Sequence, residues 1–204
     1  MKTITPIFPC LIYQHEIEDF NSVRDDFIQY AYDQEKQNPN PVEKSNRGGW
    51  QTPDSNFFMT DEKFQPLFSW FAEKIKEYKT HIDYDMSKRH DIILNSFWFN
   101  INRRFNYNIS HHHPNCTLSA VLWIKASKDS GALCFESPHE YAQYSSMYLQ
   151  KQDFVDKYLA CPSYKIVPKE GTMVIFPSHL RHYVEDNLSN EDRISLAVNI
   201  TLEI

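Results

Sequence analysis

NISHHHPNCTLSAVLWIK, residues 108–125, joins a run of three histidines to an apolar run of eight residues. Side chains alternate along an extended backbone, so His111 and His113 are expected on the same side of the chain. Two imidazoles on one side of a strand end form half of a metal chelate. A solvated loop is the competing interpretation of such a run, and the histidines alone do not decide between the two.

A third histidine favours the metal interpretation. His182 lies much further along the chain, within the stretch FPSHLRHYV. A β-barrel can bring such distant strands together. We therefore predict a mononuclear metal site with His111, His113 and His182 as ligands. Two alternatives stay open, namely that His112 is a ligand or that Asn115 pairs with His111.

An arginine near the end of the chain is a candidate anion-binding residue. Arg193 opens the last strand pattern as Arg193-Ile194-Ser195, which places Ser195 on the same side of the strand. A guanidinium inside a barrel can hold a carboxylate by charge-assisted hydrogen bonds, assisted by a nearby hydroxyl. An exposed arginine at a strand start is a common alternative. The order of His-x-His, a glycine turn with a strand, a distal histidine and Arg-x-Ser is much rarer than any one part.

The remaining pattern predicts an α+β chain in which helices brace a sandwich or barrel. Apolar residues at helical spacing predict helices over 16–36 and 61–82, after an early strand over 4–13. A helical insertion is expected over 140–158. The other predicted strands cover residues 92–105, 118–125, 132–135, 164–167, 172–176, 181–184 and 194–202. We take 1–204 as a single domain, with 1–90 as mainly helical support and 91–204 as the barrel core.

Composition argues against several classes of protein. The chain has 204 residues, 41% of them hydrophobic, and a formal net charge of −6. It shows no clustered basic stretch of the kind that nucleic-acid binders present, and no apolar run of the roughly 20 residues needed to cross a membrane. Four widely spaced cysteines without a C-x-x-C pair favour a reduced, cytoplasmic protein over a disulfide scaffold.

Several stretches together resemble a family of small oxygenases that use iron(II) and 2-oxoglutarate, a His-x-His variant within the double-stranded β-helix superfamily. They run from residue 45 towards the end of the chain: SNRGGWQT, FWFNINRRFNYNISHHHP, LSAVLWIK, SGALCFESP, EGTMVIFPSHLRHYV and RISLAVN. The resemblance implies a double-stranded β-helix, which is a jelly-roll or cupin-like barrel, braced by the N-terminal helices. It also implies a 2-oxoglutarate-dependent dioxygenase that hydroxylates an unidentified substrate.

The resemblance assigns a role to each candidate residue. The implied Fe(II) ligands are His111, His113 and His182. His113 stands where most of the superfamily has the carboxylate of the facial triad. Three neutral imidazoles leave iron(II) with one more unit of positive charge than that triad, and they would also suit zinc, copper or nickel. Arg193, assisted by Ser195, would bind the distal carboxylate of 2-oxoglutarate. Asn100 and Trp123 would line the same cavity, although a strand-end amide and an ordinary core aromatic explain them equally well.

Two other functions stay open on the sequence alone. A cupin-like metal-dependent enzyme or binding protein would keep the barrel without using 2-oxoglutarate, and Arg193 would then be dispensable. A non-enzymatic interaction module would keep the fold around a site that no longer binds metal. The segment 45–50 is either a lid or substrate wall, or a contact that docks the helices on the barrel. We expect a small-molecule or otherwise unknown substrate, and no nucleic-acid or membrane partner. A homodimer is compatible with the sequence.

Overall fold

The computed structural model describes residues 10–53, 62–82, 91–139 and 149–203, which contain eleven strands and three α-helices. The helices are α1 (Asn21–Gln37), α2 (Gln65–His81, after a 3-10 turn at Glu62–Phe64) and α3 (Gln152–Tyr158). The strands are β1 (Tyr13–Glu16), β2 (Asn46–Arg47), β3 (Trp50–Gln51), β4 (Asp91–Asn102), β5 (Tyr107–His111), β6 (Leu118–Lys125), β7 (Leu133–Glu136), β8 (Ser163–Ile166), β9 (Thr172–Pro177), β10 (His182–Val184) and β11 (Arg193–Glu203).

The strands form two antiparallel sheets. The larger sheet has the order β1-β9-β6-β11-β4-β3, and the smaller has the order β2-β5-β10-β7-β8. Strands distant in sequence are therefore neighbours in space: β10 pairs with β5 on one side and with β7 on the other. This pairing brings the two histidine stretches of the sequence to adjacent strands.

One face of the larger sheet packs against the helices. The alternate residues Ile194, Leu196, Val198 and Ile200 of β11 are fully buried in this core. On β4, Phe97 meets Phe68 of α2 edge-on, with ring centroids 5.0 Å apart. The predicted bracing of a β-layer by N-terminal helices is confirmed. The other face of the same sheet takes no part in this packing.

The second face of the larger sheet looks towards the smaller sheet. A smaller core fills part of the space between them. Its buried members are Trp123, Leu133, Phe135, Ile166, Val174, Phe176 and Leu180. The inward residues of β11, which alternate with its core residues, border the space that this core leaves open.

Several predicted boundaries differ from the observed ones. The first described strand is 13–16 rather than 4–13, and residues 4–9 lie outside the described part. Glu16 is the last residue of that strand and pairs with Thr172, so the helix cannot begin there. Asp19 has a φ of 54°, and this left-handed residue turns the chain into α1 at Asn21.

Two further boundaries were also only approximate. Strand β4 ends at Asn102 rather than 105, since Phe105 has a φ of 65° in the turn before β5. Of the expected helical insertion, residues 140–148 lie outside the described part, and α3 occupies 152–158. None of the described helices is both long enough and apolar enough to span a bilayer.

Candidate metal centre and cosubstrate cavity

Three histidines meet between the two sheets. His111 ends β5, His113 follows it, and His182 begins β10 directly opposite His111. The ring centroids of His111 and His182 are 4.3 Å apart, and each lies 5.1 Å from the ring of His113. One nitrogen of each ring lies within 4.8 Å of the others. The strand pairing therefore brings the three predicted ligand residues together.

The two alternative ligands occupy different places. His112 points outward as an exposed side chain at the edge of the same cavity. Asn115 is exposed in a left-handed turn, with a φ of 64°, and does not line the cavity. Neither belongs to the histidine cluster.

Each of the three rings has an oxygen partner for its Nδ1 atom. His111 Nδ1 lies 2.7 Å from the carbonyl oxygen of Ile109, and His182 Nδ1 lies 2.9 Å from that of Leu180. His113 Nδ1 lies 2.6 Å from Asn199 Oδ1. A carbonyl oxygen only accepts, so Nδ1 donates its proton and Nε2 keeps the lone pair that a metal needs. All three oxygen acceptors that orient the rings belong to neutral groups.

Burial keeps His111 and His182 in their neutral form. It lowers the pKa of His111 to about 4 and that of His182 to about 3. Charges on the neighbouring histidines push both pKa values in the same direction. At neutral pH these two imidazoles are therefore unprotonated, which is the state in which a histidine binds a metal.

Arg193 lies deep in the molecule and is 1% exposed. Its Nη1 atom donates to the backbone carbonyls of Ser130, Gly131 and Glu185, the last two at 3.4 and 3.2 Å. Its Nη2 atom is buried and has no hydrogen-bond partner among the described residues. Burial lowers the pKa of Arg193 to about 10, so the guanidinium stays charged at neutral pH. One side of the guanidinium is thus anchored, and the other retains an unused donor.

A cavity of about 510 Å³ connects Arg193 with the histidine cluster. Its floor contains a cross-strand row on the larger sheet, because Ser195 pairs with Trp123 and with Asn100, and Asn100 pairs with Gln51. All four residues line the cavity. The predicted cosubstrate residues Arg193, Ser195, Asn100 and Trp123 therefore share one space with the three histidines.

The sequence left open whether the segment 45–50 forms a wall of the substrate cavity or docks the helices on the barrel, and the segment does both. Ser45 lines the cavity, as does Gln51 just beyond the segment. Trp50 is 4% exposed in the helix-side core and donates from its indole nitrogen to the carbonyl of Asn38 at 2.8 Å. Gly49 is needed for close packing, since a Cβ atom there would lie 2.4 Å from Asn102 Oδ1. The segment is a cavity wall on one side and a helix contact on the other.

Six polar residues of the cavity escaped the sequence-based selection. They are Lys44, Gln51, Asn102, Asn108, Ser119 and Asn199. Asn199 could have been found, because it continues the inward alternation of Arg193 and Ser195. The contributions of Gln51 and Ser119 depend on which strands become neighbours, and a single sequence does not reveal that.

Comparison with known proteins agrees with this architecture. The family model described as "Putative 2OG-Fe(II) oxygenase" matches residues 96–199, just over half of the chain. No curated protein matches the sequence at a significant level. A prolyl-4-hydroxylase from Pseudomonas putida superposes with a TM-score of 0.62 at 14% identity, over 93% of this chain and 91% of its own. A viral collagen prolyl hydroxylase from Paramecium bursaria Chlorella virus-1, solved as a 2-oxoglutarate complex, gives 0.54 at 14% identity, over 94% and 97%.

A third similar structure is the α-ketoglutarate-dependent carbocyclase SnoK of nogalamycin biosynthesis, with a TM-score of 0.62 at 10% identity, over 93% of this chain and 78% of its own. Likeness at such low identity shows the fold, and the predicted double-stranded β-helix is confirmed. The family match covers most of β4 and most of β11 together with all the strands between them, and so includes the whole histidine cluster. The chain therefore belongs to the 2-oxoglutarate- and Fe(II)-dependent oxygenase family.

Proposed function

We propose that His111, His113 and His182 bind the iron through their Nε2 atoms, in an oxygenase that hydroxylates a small molecule. The observation that supports this most strongly is the common orientation of the rings, because each Nδ1 atom is taken by an oxygen. Three neutral imidazoles with converging ring nitrogens suit a divalent transition metal. The donor set therefore fits iron(II).

The same proposal gives Arg193 the distal carboxylate of 2-oxoglutarate, with Ser195 beside it. A buried, charged guanidinium with an unused donor is costly unless an anion completes it. A carboxylate supplies both the charge and the acceptor. A cupin-like protein that does not use 2-oxoglutarate would have no need of such a residue.

The protein itself contributes binding, orientation and exclusion of water. Iron and 2-oxoglutarate, when bound, supply the oxidation, in which dioxygen converts 2-oxoglutarate to succinate and carbon dioxide and one oxygen atom reaches the substrate. Trp123 and Asn100 shape the wall next to Ser195. The cavity of about 510 Å³ lies within the range of roughly 300–1,000 Å³ typical of small-molecule sites, which supports a small-molecule substrate. We also propose a cytoplasmic location, supported by the cysteine pattern.

Anaerobic titration of the purified protein tests this function. Fe(II) followed by 2-oxoglutarate should produce a weak visible charge-transfer band that saturates at one equivalent of each. Zn(II) in place of Fe(II) should give no band and serves as the control. A protein that binds Fe(II) but shows no band and no measurable affinity for 2-oxoglutarate would support the cupin-like alternative. A protein that binds no metal at all would support the interaction module.

Asn199→Ala should weaken Fe(II) binding about 10- to 100-fold, the usual cost of losing a group that orients a metal ligand. The variant removes the acceptor of His113 Nδ1, and the ring can then turn its lone pair away from the metal. Equilibrium titration against a competing chelator measures the change. Asn190→Ala removes an exposed amide from the neighbouring loop and should leave the affinity unchanged. Equal affinities in the two variants would show that Asn199 does not position His113.

A further inference from the structure

We infer that the substrate of this cavity is a small neutral molecule with a flat ring that contains a secondary amide, and that it packs against Trp98 and pairs with the carboxamide of Gln51. This inference rests on the proposed function, because it concerns the part of the cavity that 2-oxoglutarate leaves free. It follows from where these two side chains lie relative to Arg193 and the histidines, and from the missing hydrogen bonds of the Gln51 side chain.

The cosubstrate would occupy the β11 side of the cavity. Arg193 and Ser195 lie at one end of the inward face of β11, and Asn199, which accepts from His113, lies towards the other end. A molecule that reaches from Arg193 to the histidines therefore follows β11. The larger sheet continues from β11 through β4 to β3, so β3 lies two strand spacings, roughly 10 Å, from β11. The β3–β4 side of the cavity is left for the substrate.

A buried carboxamide without a partner lies on that free side. Gln51 of β3 lines the cavity and is 3% exposed. Its backbone carbonyl accepts from Val42 at 3.2 Å, but its side-chain amide has no hydrogen-bond partner among the described residues. A carboxamide presents an acceptor and a donor side by side, and leaving both unpaired is costly in a buried place. A ring amide holds its own N–H and C=O on one edge, so it satisfies both groups at once.

An aromatic side chain stands between Gln51 and the proposed metal ligands. Gln51 pairs with Asn100, and Trp98 lies two residues before Asn100 on the same face of β4. Gln51 and Trp98 are therefore diagonal neighbours, with Cα atoms about 7–8 Å apart. Trp98 is half-buried and stacks on His113, with ring centroids 5.6 Å apart and an interplanar angle of 28°. Aromatic surfaces favour flat rings, and a ring against this indole lies next to the proposed iron ligand.

The lining offers a substrate no group of unmatched charge. It contains no aspartate and no glutamate among the described residues. Arg193 is matched by the distal carboxylate of 2-oxoglutarate in the proposed function, and Lys44, exposed at the rim, has an interaction of its own. A charged substrate would lose hydration without gaining a partner of opposite sign, so a neutral one is favoured. The cavity of about 510 Å³ holds a small ring beside 2-oxoglutarate.

Four probes test the inference in the protein loaded anaerobically with Fe(II) and saturating 2-oxoglutarate. They are 2-pyridone, its saturated counterpart 2-piperidone, and the N-methyl derivatives of both. Fe(II) accelerates the NMR relaxation of nearby probe protons, so a titration reports both affinity and proximity to the metal, and protein loaded with Zn(II) is the diamagnetic control. Persistence of the charge-transfer band shows that 2-oxoglutarate stays bound.

The N–H probes should bind at least about tenfold more tightly than their N-methyl derivatives, because the methyl group removes one hydrogen bond to Gln51 and blocks the other. The flat 2-pyridone should bind at least about twofold more tightly than 2-piperidone, because it gains more from contact with the indole of Trp98. Both comparisons use the wild-type protein and do not depend on the folding of a variant.

Gln51→Leu should abolish the preference for N–H probes, and Trp98→Leu should abolish the preference for the flat ring. Gln37→Leu, at an exposed helix end, and Trp70→Leu, at a half-buried tryptophan of α2, do not touch the cavity and should retain both preferences. The inference is wrong if wild-type protein with a normal charge-transfer band shows neither preference, or if each cavity variant behaves like its control. A wild-type protein without that band would instead contradict the proposed function, so the two failures are distinguishable.

Discussion

His182→Ala is expected to abolish the Fe(II)–2-oxoglutarate band and to weaken Fe(II) binding by more than about 100-fold. Loss of a group that merely orients a ligand costs up to about that much, and this variant removes the ligand itself. Two imidazoles would remain, and the chelate would be open on the β10 side. Metal content after equilibrium dialysis and the anaerobic absorption spectrum measure the result.

The matched control for this variant is His179→Ala. His179 is exposed, lies three residues earlier on the same segment and does not line the cavity. It should leave both metal content and spectrum unchanged. Thermal unfolding of both variants verifies that they fold. Retention of stoichiometric iron by a folded His182→Ala protein would rule out the proposed ligand set.

Arg193→Met should weaken 2-oxoglutarate binding by about 2–5 kcal/mol, which is at least about 30-fold, while Fe(II) binding persists. The substitution removes the buried charge and the unused Nη2 donor that face the cavity. The expected result is a lower affinity for 2-oxoglutarate with an unchanged affinity for Fe(II), since a general loss of structure would lower both affinities. Titration of the charge-transfer band with 2-oxoglutarate measures one affinity, and chelator competition measures the other.

Arg193 also donates to three backbone carbonyls, so its loss will reduce stability. Ser195→Ala keeps those bonds and should weaken 2-oxoglutarate binding by a smaller amount, about 0.5–1.5 kcal/mol. Arg104→Met, at an exposed arginine bonded to Asn190, is the control for loss of a guanidinium. Unchanged 2-oxoglutarate affinity in both cavity variants would argue for a site that does not use this cosubstrate.

The histidines show how far a sequence alone can reach. The alternation of side chains placed His111 and His113 on one side, and the expected barrel with its strand patterns added His182 and Arg193. The resemblance to the oxygenase family then assigned their roles. These predictions needed only local periodicity and the order of motifs. The roles of Gln51 and Ser119 depend on strand neighbours that only the folded sheet defines, because β3 and β6 flank the β4–β11 pair from opposite sides.

The predicted boundaries of the first strand and the first helix were wrong because strand pairing, rather than local sequence, determines them. The predicted strand over 4–13 and helix from 16 relied on apolar content, whereas the strand at 13–16 is held by pairing with β9. Its residues Gln14 and Glu16 are exposed and polar, so no hydrophobic signal marks them. Tertiary pairing overrode the local preference there, as it commonly does at the edges of sheets.

Strand β11 has hydrophobic residues on the face towards the helices and cavity residues on the other, and this alternation links correct folding to activity. A shift of its pairing by one residue would turn Ile194 and Leu196 into the cavity and force Arg193 and Ser195 against the helices. Such a chain would lose its core and its cosubstrate pocket together. A misregistered but stable and inactive population is therefore disfavoured. The hydrophobic face of β11 fixes the register that places Arg193 and Ser195 in the cavity.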